Sequence, residues 1–329
     1  METDLKKLKI CWATGKNDYV GNAYGYKVHS DTLMKYVSEI AEIDPDAKDA
    51  VIIASSDLYT KPMKDKVNWL FTMSEGTTLP DNLVTNIQRA DYLLTPSLWA
   101  KEILGKYFND RNIFVVHHGV EREFKYIKRK FPTDRPFRFL WVGAPNERKG
   151  WGEVAAVWKF FERTPRIELY LKTTGLKNEF ERKGNVILDS RNLSKNELIK
   201  LYHSAHCFVF PTRAEGFGLV LAEAMGTGLP CIATNYSGVT DFFDDTVGYP
   251  IKYQMGDIKA TYADGTIDVT QAAFPDVEEI AKLMVYVYKN YNKAKEKGKK
   301  ASEWIHSKFT WERSAKTLVS IIGKANASL

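Results

Sequence analysis

Two glutamates eight positions apart, Glu215 and Glu223, enclose the run Gly216-Phe217-Gly218-Leu219. An apolar segment ends at Phe210 just before this run, and a helical pattern follows it. The spacing therefore predicts a strand, then a loop carrying Glu215, then a helix starting near Gly218. Gly216 and Gly218 let the backbone approach a ligand closely. The helix start turns its N–H groups and positive dipole end toward the loop, which suits a pyrophosphate. Ionised carboxylates accept hydrogen bonds from hydroxyls. One glutamate can thus meet the hydroxyls of a sugar and the other, on the first helical turns, those of a ribose. Taken singly, Glu215 also reads as a surface loop carboxylate, and Glu223 as a helix N-terminal charge worth about 0.3–1 kcal/mol.

The elements that must position these residues follow a regular alternation. Leu8–Trp12, Val51–Ala54, Trp69–Met73, Tyr92–Thr95 and Ile113–Val116 read as strands separated by helical stretches, including Val28–Ile40 and Leu98–Tyr107. Nearly continuous apolar strands alternating with helices predict a parallel sheet covered on both faces. The charged, proline-containing stretch Lys128–Pro136 breaks the pattern and reads as a linker. A second series begins at Phe137–Val142 and continues through Glu168–Leu171, Val186–Leu188, Cys207–Phe210 and Cys231–Ala233. The expected fold class is α/β: two Rossmann-like, doubly wound domains facing each other across a cleft. Ligands bind such sheets outside the carboxyl ends of the strands. The expected domains are residues 1–132, 133–308, and a C-terminal helix in 309–329. Residues 251–274 suggest a β-hairpin, and 275–308 one long helix with Ile280, Leu283, Met284, Val287 and Tyr288 on one face.

Composition narrows the class. The chain has 329 residues, 44% hydrophobic and 27% charged, an ordinary globular balance of two-domain size. No apolar run approaches the roughly 20 residues that cross a bilayer, and the first residues lack the layout of a secretory signal. Cys11, Cys207 and Cys231 are too few and scattered for a disulfide framework or zinc site and read as buried thiols. A cytoplasmic location is expected. The net charge of +6 divides as +1 in residues 1–132 and +5 in the rest. Its densest part, Lys289–Lys300, has six lysines and one glutamate. That is a solvated helix face or a peripheral contact with an anionic membrane surface.

The segment from Phe208 to Met225 closely resembles the donor-site motif of the retaining family 4 glycosyltransferases, whose fold is GT-B. Glu215, Gly216, Phe217, Gly218, Glu223, Ala224, Met225, Gly228, Leu229 and Pro230 all match. The run Trp141-Val142-Gly143-Ala144-Pro145-Asn146-Glu147-Arg148-Lys149-Gly150 resembles the strand and Lys-Gly loop that opens the family's donor domain. There a basic pair neutralises the donor diphosphate, and phosphate oxygens are well served by a planar Arg fork beside a Lys point charge. The resemblance assigns these roles to Arg148 and Lys149. Many members have an Arg directly after Gly143, where this chain has Ala144. Lys172 is the nearest candidate for a second phosphate lysine, with a strand-end surface lysine as the plain alternative.

In the first half, Phe71–Pro80 resembles a loop common in relatives, and Glu75 is the candidate it contributes to the cleft. His117-His118 is family-like, and strand geometry makes at least one of them a packing residue. Gly21, Asn22 and Tyr24 lie in the loop after the first strand, which in GT-B enzymes borders acceptor and diphosphate. That loop is too irregular for a dinucleotide fingerprint. Phe309–Glu312 resembles the signature where the last helix crosses back to the first domain. The resemblance implies transfer of a sugar from a nucleoside diphosphate sugar, with retention, without metal and without any cofactor beyond that co-substrate. The acceptor is open: a glycan, lipid-linked sugar, protein or small molecule, with nucleic acid less favoured by the charge. Several alternatives stand beside it: an inverting transferase using Glu75 or Asp18 as base, a sugar epimerase on the same fold, a DNA-base-modifying transferase, and a non-catalytic sugar- or nucleotide-binding protein.

Overall fold

The computed structural model describes residues 8–13, 24–174, 176–177, 179–261 and 265–328. Gly21 and Asn22 lie outside them. The described residues divide into two compact units, one within 1–119, 257–271 and 309–329, the other within 120–256 and 272–308.

In the first unit the chain runs β1 (Lys9–Ala13), α1 (Tyr24–Val37), β2 (Glu42–Ile43), β3 (Asp49–Ile53), β4 (Val67–Phe71), α2 (Asp81–Ile87), β5 (Tyr92–Thr95), α3 (Leu98–Leu104) and β6 (Ile113–Val115). The sheet order is β2-β1-β3-β4-β5-β6, parallel throughout. β3, Asp-Ala-Val-Ile-Ile, is buried at every position, as expected of a central strand covered on both faces. Ser97 starts α3 by accepting from the N–H of Ala100, satisfying a donor that the first helical turn leaves over.

In the second unit follow β7 (Phe137–Val142), α4 (Trp151–Trp158), β8 (Ile167–Lys172), β9 (Phe180–Lys183), β10 (Val186–Asp189), α5 (Lys195–Ser204), β11 (Cys207–Phe210), α6 (Leu219–Gly226), β12 (Cys231–Thr234) and β13 (Tyr249–Ile251). The order is β13-β12-β11-β7-β8-β10-β9. All pairings are parallel except the edge strand β9, which runs antiparallel to β10. Phe137, Phe139, Trp141, Val209 and Ile232 form the core beneath α4. A capping box between Ser194 and Glu197 starts α5.

Residues 120–132 belong to this second unit. Arg129 is buried and donates to the carbonyls of Ala205, Tyr202 and Thr227. The basic stretch expected to be a linker is therefore anchored at Arg129, because three carbonyls at the ends of α5 and α6 need a donor that can fork.

The remaining elements are β14 (Tyr253–Thr261), β15 (Ile267–Pro275), α7 (Val277–Lys289), α8 (Tyr291–Lys308) and α9 (Trp311–Ala327). β14 and β15 form the two-stranded hairpin expected at 251–274. Within the first unit, its outer part is bonded to the loop after β4. The N–H of Thr77 donates to Thr270 Oγ1 at 2.6 Å, and Thr78 Oγ1 to Asp268 Oδ2 at 2.7 Å. The single long helix expected over 275–308 is two helices. Asn290 leaves helical geometry (φ −114°, ψ 37°) and ends α7, while Asp276 caps its start. In the lysine-rich α8, Lys297 donates to the carbonyl of Gly248 at 3.0 Å and Lys299 lies 3.8 Å from Glu303. No helix among the described residues is long and apolar enough to cross a membrane.

α9 packs on α1 within the first unit. Asn326 Nδ2 donates to Asp49 Oδ2 at 2.7 Å, and Trp69 Nε1 to Asp49 Oδ1 at 2.9 Å, so this buried carboxylate ties α9 to the sheet. A Cβ on Gly119 would lie 2.0 Å from the Trp311 nitrogen, so only glycine permits that approach. His118 is buried against Trp311, Phe71 and His29, whose ring centroid is 4.1 Å away. His117 instead meets the Phe309 ring edge-on.

Candidate functional site

β7 and β11 are neighbours, with Phe139 opposite Cys207 and Leu140 opposite Phe208. The loops that follow them, 143–150 and 211–218, therefore leave the same edge of the sheet side by side. Two backbone contacts stitch them together. The N–H of Arg213 donates to the Arg148 carbonyl at 2.7 Å. Gly150, at φ +72°, passes so close to Pro211 that a Cβ would lie 2.0 Å from the proline oxygen. Only glycine meets both demands.

This stitching brings Arg148, Lys149 and Glu215 together. Lys149 Nζ lies 2.7 and 2.8 Å from the two oxygens of Glu215. Arg148 Nη1 is 3.5 Å from Oε1 and donates to the Ala214 carbonyl at 2.9 Å. Thr212 Oγ1 donates to Glu215 Oε1 at 2.8 Å. Glu215 is buried, and burial alone pushes its pKa up. The charges of Lys149 and Arg148, with the hydrogen bonds from Lys149 and Thr212, outweigh that, and the carboxyl titrates below its ordinary value. An ammonium has three N–H donors. Glu215 takes two from Lys149.

The glycines shape the loop around this cluster. Gly218, at φ +95° and ψ 48°, is the cap of α6, and a Cβ there would press to 2.6 Å from Val239. Phe217 is buried against Phe242, and Leu219, half-buried, starts α6. The amide of Gly143 donates to the Lys172 carbonyl, which fixes the start of the 143–150 loop.

Glu223 turns to a different partner. It accepts from the Tyr202 hydroxyl of α5 at 3.1 Å. Burial, with a smaller push from the negative charge of Glu121, raises its pKa to about 8 against the lowering effect of that hydrogen bond. Lys172 is buried, with Nζ directed at backbone carbonyls: Thr173 at 2.6 Å, Arg191 at 2.8 Å and Asp189 at 3.4 Å. Burial lowers its pKa. Its amine ties together the carboxyl ends of β8 and β10.

Glu75 lies in the first unit, exposed, on the loop after β4. Beside it Ser74 Oγ donates to the Gly76 carbonyl at 2.7 Å. The Tyr26 hydroxyl of α1 has its pKa raised by burial first and by the Glu75 charge second.

Sequence reasoning missed several residues that hold this geometry. Thr212 and Tyr202 each bond one of the two glutamates. Arg213 is buried, donates to Glu153 at 2.9 Å and Glu147 at 2.8 Å, and stacks 4.1 Å from the Phe274 centroid. Its place two residues before Glu215 was the available signal, since a buried arginine needs several acceptors.

The family described as GT4-conflict, "Family 4 Glycosyltransferase in conflict systems", matches residues 97–318. The chain is 27% identical over 163 residues to glycogen synthase of Mycobacterium tuberculosis, a match covering 46% of this chain and 39% of that protein. It thus spans about two fifths of that curated relative. Among solved structures it is similar to sucrose-phosphate synthase from Thermosynechococcus elongatus, with TM-score 0.66 and 16% identity over 94% of this chain and 81% of that one. It is also similar to Anabaena HepE in complex with UDP and glucose, with TM-score 0.69 and 11% identity over 98% of this chain and 100% of that one. At such identities the likeness is one of fold, and the fold is GT-B. With more than half of its length matched by one family, the chain belongs to the family 4 glycosyltransferases of the conflict-system group.

Proposed function

We propose that this protein transfers a sugar from a nucleoside diphosphate sugar to an acceptor hydroxyl, with retention at the anomeric carbon and without metal. The observation that carries this reading is the convergence of Lys149 and Arg148 on Glu215 at the carboxyl ends of β7 and β11. Two fixed cations beside a buried carboxylate suit a ligand that joins an anionic diphosphate to a hydroxylated ring.

In this reading the bond between the anomeric carbon and the diphosphate oxygen breaks. Charge grows on the leaving phosphate, where Arg148, Lys149 and the N-terminus of α6 near Gly218 stabilise it. The acceptor oxygen forms the new bond on the same face and passes its proton to that phosphate oxygen. No protein nucleophile is required. Glu215 orients the sugar hydroxyls and Glu223 the ribose hydroxyls, while Gly143, Gly216 and Gly218 keep the loops open to the ligand. The Lys289–Lys300 stretch is read as a solvated surface.

UDP-glucose is the first donor to try, since the HepE structure holds UDP and glucose. Thermal-shift screening against UDP, GDP, ADP and dTDP identifies the base, because a specific ligand stabilises the folded state by mass action. Donor turnover that persists in EDTA and an axial product anomer by NMR are expected. Loss of turnover in EDTA removes the metal-free part, and an equatorial product removes retention.

A further inference from the structure

Residue 215 is gripped through its backbone as well as its carboxylate. Its carbonyl accepts from the N–H of Gly238 at 2.9 Å, and its own N–H donates to Ser237 Oγ at 2.8 Å. Ser237 and Gly238 follow β12 and open a short 3-10 turn ending at Asp241. They run against the Glu215 loop with no room to spare, for a Cβ on Gly238 would lie 2.2 Å from the Gly216 oxygen.

Ser237 is 1% exposed and sits at φ +64°. Glycine enters this left-handed region freely, whereas a residue with a Cβ does so at a cost. A side chain held there against its preference marks a position the surroundings over-determine, and such positions cluster at functional sites. What serine adds over glycine is one hydroxyl. That hydroxyl donates to the Tyr236 carbonyl at 2.5 Å, which leaves its lone pairs to accept the Glu215 N–H. The Ser237 carbonyl accepts from Thr240 Oγ1 at 2.7 Å, holding the strained peptide in place.

We propose that Ser237 is a positioning residue for the transfer reaction. Its hydroxyl fixes the peptide that carries Glu215, and so the angle at which the carboxylate meets Lys149 and the substrate. The inference rests on the transferase reading above. Losing this acceptor lets the peptide between residues 214 and 215 rotate, and small misplacements at a reacting centre are costly in rate.

Wild-type turnover on a donor panel is measured first; its absence on every donor overturns the transferase reading itself. With turnover present, Ser237→Gly separates strain from positioning. The variant is expected to melt within a few degrees of the wild type, because relief of the left-handed φ offsets the lost hydrogen bond. Its kcat should fall on the order of tenfold, with the KM for the donor within about twofold, the scale of one lost neutral hydrogen bond. Ser237→Thr returns a hydroxyl and should recover most of the lost kcat while melting lower. A Ser237→Gly variant with wild-type kcat, or one whose kcat falls in step with its melting temperature, overturns the positioning role and leaves the transferase reading standing.

Discussion

Lys149 meets both carboxylate oxygens of Glu215, at 2.7 and 2.8 Å, although the two residues are 66 positions apart in the chain. The pair is mostly out of water, with side-chain exposures of 18% and 5%. Removing one partner of a buried pair strands the other charge, whereas removing both is much less harmful. Lys149→Met should lower stability by about 3 kcal/mol, the lower end for breaking a buried pair, because Arg148 remains. The double variant Lys149→Met/Glu215→Gln should be less destabilised than the sum of the single changes. Denaturant titration of the four proteins checks this, and strict additivity would show that the pair contributes no coupling.

Arg148 is the second cation at the same carboxylate and the one with a planar fork. Under the proposed reaction Arg148→Ala should cut kcat by on the order of 10²-fold, the usual scale for a group stabilising charge that develops in the transition state. Circular dichroism should stay that of the wild type, since Arg148 is partly exposed. Unchanged steady-state turnover would remove this residue from the machinery.

Glu223, raised to about 8, makes a prediction of opposite form. Its folded-state pKa lies above the ordinary 4.5, so the unfolded chain releases its proton first as pH rises. The carboxyl thus costs nothing near pH 4 and opposes folding increasingly between about pH 4.5 and 8. Glu223→Gln, which keeps the neutral shape, should match the wild type near pH 4 and melt above it at pH 8. Calorimetric nucleotide binding should weaken in the same variant, as a lost ribose contact requires. An unchanged affinity would detach Glu223 from the nucleotide.

The buried His29–His118 pair makes the first unit sensitive to acid. Burial, reinforced by the charge of His117 on His118 and of His118 on His29, holds His118 down to about 3 and His29 well below 6.5. In the unfolded chain both protonate near 6.5, so acid favours unfolding from about pH 6.5 downward until the folded-state values are reached. The loss is about 1.4 kcal/mol per pH unit for each histidine. His29→Phe, filling the same aromatic slot, should show a visibly shallower fall in denaturant midpoint between pH 7 and 4.5. Parallel pH profiles would contradict the neutral pair.

How much of this was legible in the residues can be argued element by element. β3, β7 and β11 were readable because strands covered on both faces are apolar throughout. β9 was not, since Phe180–Lys183 is exposed at all four positions and its charged edge looks like loop. The break at Asn290 was hidden because apolar residues continue on both sides, through Val287, Tyr291 and Ala294. Glu215, Arg148 and Lys149 could be chosen from residue type and motif. Their pairing could not, because it depends on which strands lie side by side in the sheet. Ser237 carried no signal at all: the sign of φ is a backbone property that a serine in a sequence does not announce. Lys172 was readable as a strand-end lysine, but not as one whose amine is claimed by three carbonyls.

The return of α9 to the first unit has a consequence for how the chain is made. The sheet around β3 leaves the ribosome early, yet Asp49 waits for Asn326 and the His29–His118 pocket for Trp311. The second unit can close on itself before either arrives. The amino-terminal half is therefore begun first and finished last, and a nascent protein stalled before residue 311 would hold one mature half and one still unsealed.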